Sequence, residues 1–419
     1  QLALPAPQRG AGGAEGCGAG DNASTVRDLG VEVLSSVLGL KPVAWQEERI
    51  APILASVGEG NYGEINRLRL QFSAEEAEAA GQPASVSLIS KRVVPKREEQ
   101  VGPGAINATE HSRWLRGFLV EAASYASLSR PLRGAGLAAP RPLHSSAGRP
   151  GEPFVLLLED LSERFPRGAD GEVRNMGPPE VRAALRWLAG FHALFWEDTR
   201  TEERGLWDRG SYWHLDELGQ LELASVPESF ANRYVSGDEW RRLRLAAPAI
   251  DRRLSGRPAA ASSGGEGVRP RHRTLLHGDA KPENILCSGR YGPPEVECAG
   301  IDFGWVGEGY GMYDVMYLLW SELAQNAVDR YLEGYHAALL ARLPQEAAAA
   351  YTPRVMRQHF ELCVLDFIRW WAGFRRGVHF WAMPWAVAMM RDVLDRLDAG
   401  EVLTADEYAQ AVDREFPLL

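Results

Sequence analysis

Three side chains in the second half of the sequence have the types and the order that phosphoryl transfer requires. Asp279 and Asn284 lie in the run His-Gly-Asp-Ala-Lys-Pro-Glu-Asn, and Asp302 opens a later Asp-Phe-Gly. In transfer from a nucleotide, one carboxylate positions the attacking hydroxyl, while an amide oxygen and a second carboxylate hold Mg²⁺ on the phosphates. Mg²⁺ needs few protein ligands beside phosphate oxygens and water. The two blocks therefore predict Asp279 as the catalytic base, with Asn284 and Asp302 as metal ligands.

Three further residues around this run are expected to support it. Lys281 follows the predicted base closely, and an ammonium group there can neutralise charge on the transferring phosphoryl group. A surface lysine would fit the same position, so the sequence leaves both interpretations open. His277 is expected to pack and to hydrogen-bond nearby backbone. Asp314 is expected to anchor the catalytic loop from the start of a helix.

A lysine and a glutamate upstream are predicted to hold the nucleotide phosphates. Lys91 lies centrally in the strand-like run Val-Ser-Leu-Ile-Ser-Lys-Arg-Val. A lysine in such a strand can reach the α- and β-phosphates when a glutamate of the next helix pairs with it. Glu121 lies on the helix predicted to follow, so we expect a Lys91–Glu121 pair. Lys96, beyond a proline in a charged segment, is a weaker candidate.

A glycine-rich turn precedes that strand, with the sequence Gly-Glu-Gly-Asn-Tyr-Gly. Backbone amides can approach phosphates closely where no Cβ intervenes, although an ordinary hairpin turn uses the same residues. A dinucleotide-binding loop is excluded, because a strand follows where that fold needs a helix. The candidates for covering the phosphates are Gly58, Gly60, Asn61, Tyr62 and Gly63.

A short apolar strand ends in Glu159-Asp160-Leu161, between the strand-rich and helix-rich parts of the chain. A backbone carbonyl and a backbone amide at this point can hold adenine, although an ordinary linker would also join the two parts here. Glu159 and Leu161 are therefore the predicted adenine contacts.

Strand patterns dominate the first part of the sequence and helical patterns the second. Alternating and apolar runs predict strands over 50–70, with the glycine turn inside, over 86–93 and over 154–161, and a polar loop over 73–84. Helical spacing predicts a helix from about residue 24 that stops at Gly39, and others over 110–129 and 179–197. The helix over 110–129 is expected to present one apolar face, formed by Trp114, Leu115, Phe118 and Ala122. After Asp314 the chain is predicted to be helical almost to its end.

This order of elements predicts an α+β fold with two lobes. We expect a disordered Gly/Ala-rich segment over 1–22, a β-rich nucleotide-binding N-lobe over 23–160, and a mainly α-helical C-lobe over 161–419 that carries the catalytic and acceptor-binding residues. Residues 255–272 are expected to form a flexible loop.

The composition fits a soluble enzyme and excludes several other classes. A net charge of −10 argues against a nucleic-acid partner. No apolar run reaches the length of about 18 residues that a membrane span needs. The four cysteines form no C-x-x-C pair, so zinc and redox motifs lack support and a reducing compartment, the cytoplasm, is the expected location. The sequence begins at Gln1, which we interpret as a trimmed start that hides any organelle-targeting peptide.

The pattern His-Gly-Asp-x-x-x-x-Asn, followed by Ile-Asp-Phe and a Gly-rich stretch, resembles the aminoglycoside phosphotransferase and choline kinase superfamily. The resemblance covers roughly residues 45–400. Glu-Gly-Asn-Tyr-Gly near the start, together with Glu121 and Tyr125, is similar to the ecdysteroid-kinase-like branch. The resemblance implies a protein-kinase-like fold, ATP and Mg²⁺ as cofactors, and the roles given above for Asp279, Asn284, Asp302 and Lys91. The chain departs from the usual pattern at Lys281, Pro282, Glu283 and Gly304, which leaves the subfamily open.

The same run also resembles the catalytic loop of protein kinases. Gly278 stands where those enzymes carry an arginine, and no long segment ending in Ala-Pro-Glu follows Asp302. The predicted function is therefore ATP- and Mg²⁺-dependent transfer of the γ-phosphate to a hydroxyl of a small molecule, of amino alcohol, sugar, aminoglycoside or sterol type. The alternatives are an atypical protein kinase and a nucleotide-binding pseudokinase that acts as an interaction module.

The acceptor itself is not identified by the sequence. Aromatic residues are dense between 366 and 385, where they form either a helical core or an aromatic pocket able to hold a ring or a cationic amine. Glu322 and Asp366 are candidate carboxylates for such an acceptor. The sequence predicts neither the oligomeric state nor a preference between ATP and GTP.

Overall fold

The computed structural model describes residues 29–54, 61–95, 108–146, 153–170, 175–256, 271–289, 295–320, 326–374 and 382–417. Some of the predictions fall elsewhere. The predicted disordered segment 1–22, most of the predicted loop 255–272, and the residues Gly58, Gly60, Lys96 and Glu322 lie outside the described residues.

Strands predominate in the first part of the chain and helices in the second, as the sequence patterns predict. The strands are β1 Ala44–Leu54, β2 Asn61–Gln71, β3 Ser85–Val93, β4 Pro142–Ser145, β5 Phe154–Glu159, β6 Trp207–Arg209, β7 Thr274–Leu276, β8 Ile285–Cys287, β9 Cys298–Gly300 and β10 Gly307–Gly309. The helices are α1 Val31–Leu38, α2 Ala74–Ala79, α3 Ala108–Gly134, α4 Pro178–Leu194, α5 Glu217–Ala224, α6 Gly237–Ser255, α7 Met312–Leu318, α8 Val328–Leu340, α9 Gln345–Ala350, α10 Pro353–Phe374, α11 Pro384–Asp398 and α12 Ala405–Glu415. The predicted α+β class, with a β-rich first part and a helical second part, is confirmed.

Five antiparallel strands form the sheet of the first part, in the order β1-β2-β3-β5-β4. The predicted hairpin of β1 and β2 is present. Because side chains alternate along a strand, the two faces of the sheet differ. Leu88 packs with Leu34 of α1 in one apolar cluster. Lys91 lies opposite Ile65 on β2 and Leu156 on β5, and it faces the second part of the chain.

The predicted polar loop over 73–84 is wrong in part, because it contains α2. Ser73 precedes this helix, and Glu75 and Glu76 lie in its first turn, where acidic residues favour the helix dipole. Ala77 is buried against the sheet. The helix is too short to show a periodic apolar pattern, and this explains why the sequence pattern missed it.

Helix α3 is longer than predicted, and its buried face is not the predicted one. Trp114, Leu115, Phe118 and Ala122 are only half-buried. The fully buried residues include Gly117, Val120, Glu121, Ser124 and Tyr125. Ser124 Oγ donates to the Phe303 carbonyl at 3.1 Å, and the Tyr125 ring lies edge-on to Phe303 with centroids 5.3 Å apart. Polar residues therefore occupy the buried face, since it packs against the Asp-Phe-Gly segment.

The second part has one large apolar core joining its helices. Members from six of the helices are Leu188, Leu243, Val315, Leu332, Val364 and Val393. Two small sheets rest on this core: β6-β10-β7 and the β8-β9 pair. The predicted catalytic loop connects β7 to β8, and Asp302 follows β9 by two residues. Among the described residues, no helix is both long and apolar enough to cross a membrane.

Candidate active site

The catalytic loop is held by one buried carboxylate, as the sequence predicts. Asp314, in the first turn of α7, accepts hydrogen bonds from the backbone N–H groups of His277 at 2.6 Å and Gly278 at 2.9 Å. His192 Nε2 lies 3.0 Å from the same carboxylate. The His277 ring hydrogen-bonds the Ile301 carbonyl at 2.9 Å, which joins the loop to the segment before Asp302. The expectations for Asp314 and His277 are confirmed.

The backbone explains why glycine precedes Asp279. Gly278 has a φ of +81°, and a Cβ at this position would lie 2.0 Å from the Trp305 carbonyl oxygen. A side chain therefore has neither a favourable conformation nor space at this point of the loop.

Gly278→Ala is expected to lower the free energy of unfolding by about 2–4 kcal/mol, because left-handed strain adds to a clash with backbone. Turnover should fall with it. Thermal melting and ADP release measure the two effects. Gly237→Ala is the matched control, since a Cβ there meets nothing within 4 Å. Indistinguishable melting of the two variants would contradict the prediction.

Asp279 accepts hydrogen bonds on both carboxylate oxygens. Lys281 Nζ and Asn284 Nδ2 donate to Oδ2 at 2.9 and 2.8 Å, and the Tyr212 hydroxyl donates to Oδ1 at 3.1 Å. Asn284 Nδ2 also donates to the Asp279 carbonyl at 2.8 Å. Lys281 therefore lies against the predicted base, although its side chain keeps 36% of its exposure. Asp279 raises the pKa of Lys281 even though burial opposes the shift, so its ammonium group stays charged.

Lys91 brings the nucleotide-binding and metal-binding predictions together. Its Nζ lies 2.6 Å from Glu121 Oε2 and 3.0 Å from Asp302 Oδ1. The predicted Lys91–Glu121 pair is present. Burial raises the pKa of Glu121 above its ordinary value, whereas the ammonium groups of Lys91 and Lys281 lower that of Asp302 against the effect of burial. Asp302 has a left-handed backbone with φ +62°, a strained conformation of the kind that collects at functional sites.

The oxygens around Asp302 suit a hard cation. Asn284 bonds Asp279 through Nδ2, and Asp302 bonds Lys91 through Oδ1. Within the described parts of the chain, Asn284 Oδ1 and Asp302 Oδ2 have no other partner, so both oxygens could bind a cation. Mg²⁺ takes oxygen ligands and completes its shell with phosphate and water. Within the described ranges, no group of three or more His, Cys, Asp or Glu side chains could bind a metal. The residues present thus fit Mg²⁺ carried by a nucleotide better than a protein-only metal site.

An apolar cavity of about 160 Å³ lies between the sheet and the second part of the chain. Glu159 and Leu161 line it, as does Asn284. The Glu159 amide already donates to the Arg141 carbonyl at 2.9 Å. The Leu161 amide has no hydrogen-bond acceptor among the described residues. The apolar residues that line this cavity include Ile65, Ile89, Leu158, Leu286 and Ile301.

A second cavity, of about 240 Å³, contains the charged residues. Lys91, Glu121 and Asp302 line both cavities, whereas Asp279 and Lys281 line only the second. The apolar space therefore adjoins the charged space at Lys91 and Asp302. A larger cavity of about 510 Å³ lies between α8 and α11 and contains none of the predicted site residues.

The described part of the glycine-rich turn comprises its last three residues, at the start of β2. The Tyr62 hydroxyl hydrogen-bonds His111 Nδ1 of α3 at 2.7 Å, and the side chain is fully buried. Gly63 lies within the β2–β3 pairing, where a Cβ would meet the Arg92 carbonyl at 1.9 Å. Asn61 begins β2. Tyr62 and Gly63 line neither cavity, and contact of this turn with phosphates stays a prediction.

Comparison with known families identifies the chain. The sequence model of the phosphotransferase enzyme family (APH) matches residues 115–351, more than half of the chain, including Glu121, Asp279, Asn284 and Asp302. The chain belongs to this family. The predicted superfamily and the predicted enzyme class, a small-molecule kinase, are confirmed; the ecdysteroid-kinase-like branch stays a prediction. Comparison with curated protein sequences gives no significant match.

The solved structures that match this phosphotransferase are distant from it in sequence. A microcompartment-associated aminopropanol kinase has 15% identity, covers 93% of this chain and 99% of its own, and gives a TM-score of 0.40. A GDP complex of aminoglycoside 2′-phosphotransferase-IIIa has 13% identity, with 84% and 93% covered and a TM-score of 0.39. A putative fructosamine-3-kinase from Haemophilus somnus 129PT has 13% identity, with 86% and 95% covered and a TM-score of 0.36. At this distance they do not identify the acceptor.

The phosphotransferase has aromatic residues near Asp279 that the sequence patterns did not assign to the site. Trp114 and Trp305 line the charged cavity. Trp305 stacks on Trp207 with centroids 5.4 Å apart and lies 4.9 Å from the Tyr212 ring. Trp305 follows directly after Asp-Phe-Gly in the sequence, a position that could have marked it. Tyr212 follows β6, far from the catalytic run, and no pattern connects the two.

Asp366 does not serve as a carboxylate for the acceptor of the phosphotransferase. It is buried and accepts hydrogen bonds from Arg369 Nε at 2.9 Å and from the Tyr313 hydroxyl at 3.1 Å. Phe367 and Trp370 are also buried, at 2% and 3% exposure, and belong to the large core. This part of the aromatic segment is therefore core, as helical packing predicts. Their neighbours Trp371 and Phe374, also on α10, are half-buried.

Proposed function

We propose that the phosphotransferase moves the γ-phosphate of ATP, bound with Mg²⁺, to a hydroxyl group of a small molecule. The observation that carries the proposal is the contact of Lys91 with Glu121 and Asp302 where an apolar cavity adjoins a charged one that contains Asp279. A planar base would lie in the apolar space that Ile89 and Leu286 line. The triphosphate then extends past Lys91 toward Asp279.

In the proposed reaction, the acceptor hydroxyl oxygen attacks the γ-phosphorus. A bond forms between that oxygen and phosphorus, the bond from phosphorus to the bridging β–γ oxygen breaks, and ADP leaves. Asp279 holds the hydroxyl and takes its proton. Lys281, bonded to Asp279, places a positive charge beside the transferring group, where charge develops in the transition state.

Asn284 and Asp302 are the residues that would hold Mg²⁺, through the amide oxygen and the carboxylate. When bound, the cation would neutralise negative charge on the nucleotide phosphates. The hydrogen bonds from Asn284 Nδ2 to Asp279 turn its oxygen away from the catalytic carboxylate. In the same way, the Lys91 contact fixes one oxygen of Asp302. These two contacts orient the ligand set before a nucleotide arrives.

Lys91→Met is expected to raise the KM for ATP about 10- to 100-fold, since it removes a buried cation that would contact phosphate. Stabilisation of the protein by ATP–Mg²⁺ should shrink in parallel. Initial rates over a range of ATP concentrations and thermal melting with and without ATP–Mg²⁺ measure both effects. Lys41→Met, which replaces an exposed lysine, is the control. An unchanged ATP dependence in Lys91→Met would remove Lys91 from the proposed site.

The proposed function is tested by acceptor-dependent ADP release with ATP and Mg²⁺. The acceptors are amino alcohols, sugars, aminoglycosides and sterols, each paired with an analogue that lacks the hydroxyl group. We expect ADP from one class, no ADP from its deoxy analogue, and a phosphorylated product of the expected mass. The deoxy analogues serve as controls because transfer to the hydroxyl requires that group, whereas simple ATP hydrolysis would release ADP equally with an acceptor and with its deoxy analogue.

Two other results would replace this proposal. Phosphate incorporated into a mixed protein substrate, with none in any small acceptor, would indicate a protein kinase. Stabilisation by ATP–Mg²⁺ without turnover of any acceptor would indicate a binding module. A cytoplasmic location, with neither nucleic acid nor membrane as partner, remains part of the proposal.

A further inference from the structure

The Tyr212 hydroxyl bonds the carboxylate that the proposed function makes the catalytic base. Tyr212 donates to Asp279 Oδ1 at 3.1 Å, and its oxygen lies 3.0 Å from the Tyr317 hydroxyl. Because the Tyr212 proton goes to Asp279, Tyr317 must donate to Tyr212. The three groups form a chain that runs Tyr317 to Tyr212 to Asp279.

Both phenols are donors at neutral pH. Burial and the neighbouring Asp279 carboxylate raise the pKa of Tyr212 well above its ordinary value. The same two causes raise the pKa of Tyr317 to about 12. Neither hydroxyl therefore ionises over the range in which the enzyme would be assayed, and the direction of the chain is preserved.

The position of Tyr212 is fixed by contacts other than its hydroxyl. Its carbonyl accepts a hydrogen bond from Arg113 Nη2 of α3 at 2.7 Å. Its ring lies edge-on to Trp213 and Trp370, with centroids 5.0 and 5.4 Å away, and Trp305 covers another side at 4.9 Å. The hydroxyl is thus held at Asp279 by packing, so it can orient the carboxylate rather than follow it.

The hydrogen-bond acceptor sites on the Asp279 carboxylate can be counted. A carboxylate has about four lone-pair sites, two on each oxygen. Lys281 and Asn284 occupy both sites on Oδ2, and Tyr212 occupies one on Oδ1. Among the described residues this leaves one site, on Oδ1. An incoming hydroxyl then meets the base in a single orientation.

We propose that Tyr212 is a positioning residue, which orients Asp279 so that Oδ1 presents one lone pair to the acceptor hydroxyl, with Tyr317 supporting it. Without the Tyr212 hydroxyl, Oδ1 offers two sites, and the carboxylate loses a restraint on its rotation. Misplacement of a reacting group by about 1 Å can cost about 100-fold in rate. The inference rests on the proposed function, because it assigns Tyr212 to the same reaction.

Tyr212→Phe is expected to lower kcat about 10- to 100-fold while the KM for ATP and the thermal midpoint stay near those of the wild type. Tyr317→Phe should lower kcat less, because Tyr212 can still donate to Asp279. The assay is ADP release by the full chain with ATP–Mg²⁺ and the acceptor from the panel above that gives the highest rate. If no acceptor raises the rate above that of ATP hydrolysis, hydrolysis itself is measured. A structural defect would instead change ATP dependence and melting together.

Tyr313→Phe is the matched control. Its buried hydroxyl also donates to a carboxylate, Asp366 Oδ2, at 3.1 Å, one helical turn from Tyr317. This variant should keep kcat within about twofold of the wild type, although it loses a buried hydrogen bond of the same kind.

The outcomes separate this inference from the proposed function. A wild type that turns over ATP, with Tyr212→Phe equal to it or equal to Tyr313→Phe, would overturn the positioning role alone. A fall in kcat confined to Tyr212→Phe and, to a smaller extent, Tyr317→Phe supports it. A wild type that neither binds ATP–Mg²⁺ nor releases ADP would overturn the proposed function and this inference together.

Discussion

Asp279→Ala is expected to lower acceptor-dependent turnover by about 10²- to 10⁴-fold, the range that positioned acid–base groups contribute, with little change in ATP affinity. The two parts of this result have different physical origins. Asp279 lines the charged cavity but not the apolar one, in which the base of the nucleotide would lie. The loss should therefore appear in kcat and not in the KM for ATP.

The metal ligands are expected to survive this substitution. Asn284 Nδ2 donates to the backbone carbonyl of residue 279 as well as to the side chain, and the carbonyl remains in Asp279→Ala. Asp302 keeps its contact with Lys91. Stabilisation by ATP–Mg²⁺ should thus persist, and calorimetric titration or thermal melting measures it. Loss of both turnover and nucleotide binding would show that Asp279 supports the site structurally.

Asp398→Asn is the control for removing a buried negative charge. Asp398 accepts hydrogen bonds from Arg242 Nε at 2.9 Å and from the Tyr408 hydroxyl at 2.7 Å, and it lines neither cavity. We expect this variant to melt at a lower temperature with kcat preserved, whereas Asp279→Ala is expected to lose kcat. Turnover that persists in Asp279→Ala within about tenfold of the wild type, outside the range for such groups, would exclude Asp279 as the base.

Contacts between elements that carry strong local signals were predictable from the sequence. Lys91 could be placed because apolar alternation marks β3, and Glu121 because it lies on the next helix. A helix that follows a strand packs near it, so a lysine and a glutamate on facing surfaces can meet. Asp314 was predictable for a similar reason. It follows Asp302 and begins a helix, where its carboxylate can reach loop amides.

The buried face of α3 was not predictable, because polar groups occupy it. Apolar periodicity selected Trp114 and Phe118, which line the charged cavity and are half-buried. Glu121 and Ser124 are buried instead, since Lys91 and the Phe303 carbonyl satisfy them. A buried polar group is tolerated when it has a partner, and that partner comes from a distant part of the sequence. Apolar periodicity, which selected the predicted face, contains no information about such a partner.

Tyr212 shows the same limit at the active site. The segment around it has no periodic pattern, and its approach to Asp279 depends on Arg113 of α3 and on Trp305. The contact therefore depends on the packing of three separate parts of the chain: the segment around Tyr212, α3 and the segment around Trp305. Asp366 is the opposite case: its place among aromatic residues suggested an acceptor contact, but Arg369, one turn further along α10, neutralises it.

Asp314→Ala is expected to lower the free energy of unfolding by about 3–5 kcal/mol, because each buried N–H left without an acceptor costs about 1–3 kcal/mol. The N–H groups of His277 and Gly278 and the ring of His192 all bond this carboxylate. Asp314 is fully buried, so water cannot easily replace it. Turnover should also fall sharply, since the amides it holds belong to the residues immediately before Asp279.

Asp314→Asn separates the loss of one acceptor oxygen from the loss of the whole side chain. An asparagine keeps one oxygen, which can accept from His277 or Gly278, but it places an NH₂ group against the other donor. We therefore expect its melting temperature and kcat to lie between those of the wild type and Asp314→Ala. Thermal melting and ADP release below the melting temperature of the weakest variant provide the two measurements. A free energy of unfolding of Asp314→Ala within about 1 kcal/mol of the wild-type value would be a smaller loss than one buried amide without an acceptor costs. Another group would then have to hold the catalytic loop. Stability and kcat should therefore decrease from the wild type to Asp314→Asn to Asp314→Ala. The loop is anchored through backbone N–H groups, so its anchoring depends on the number of acceptor oxygens at position 314 and not on the side chains of the loop.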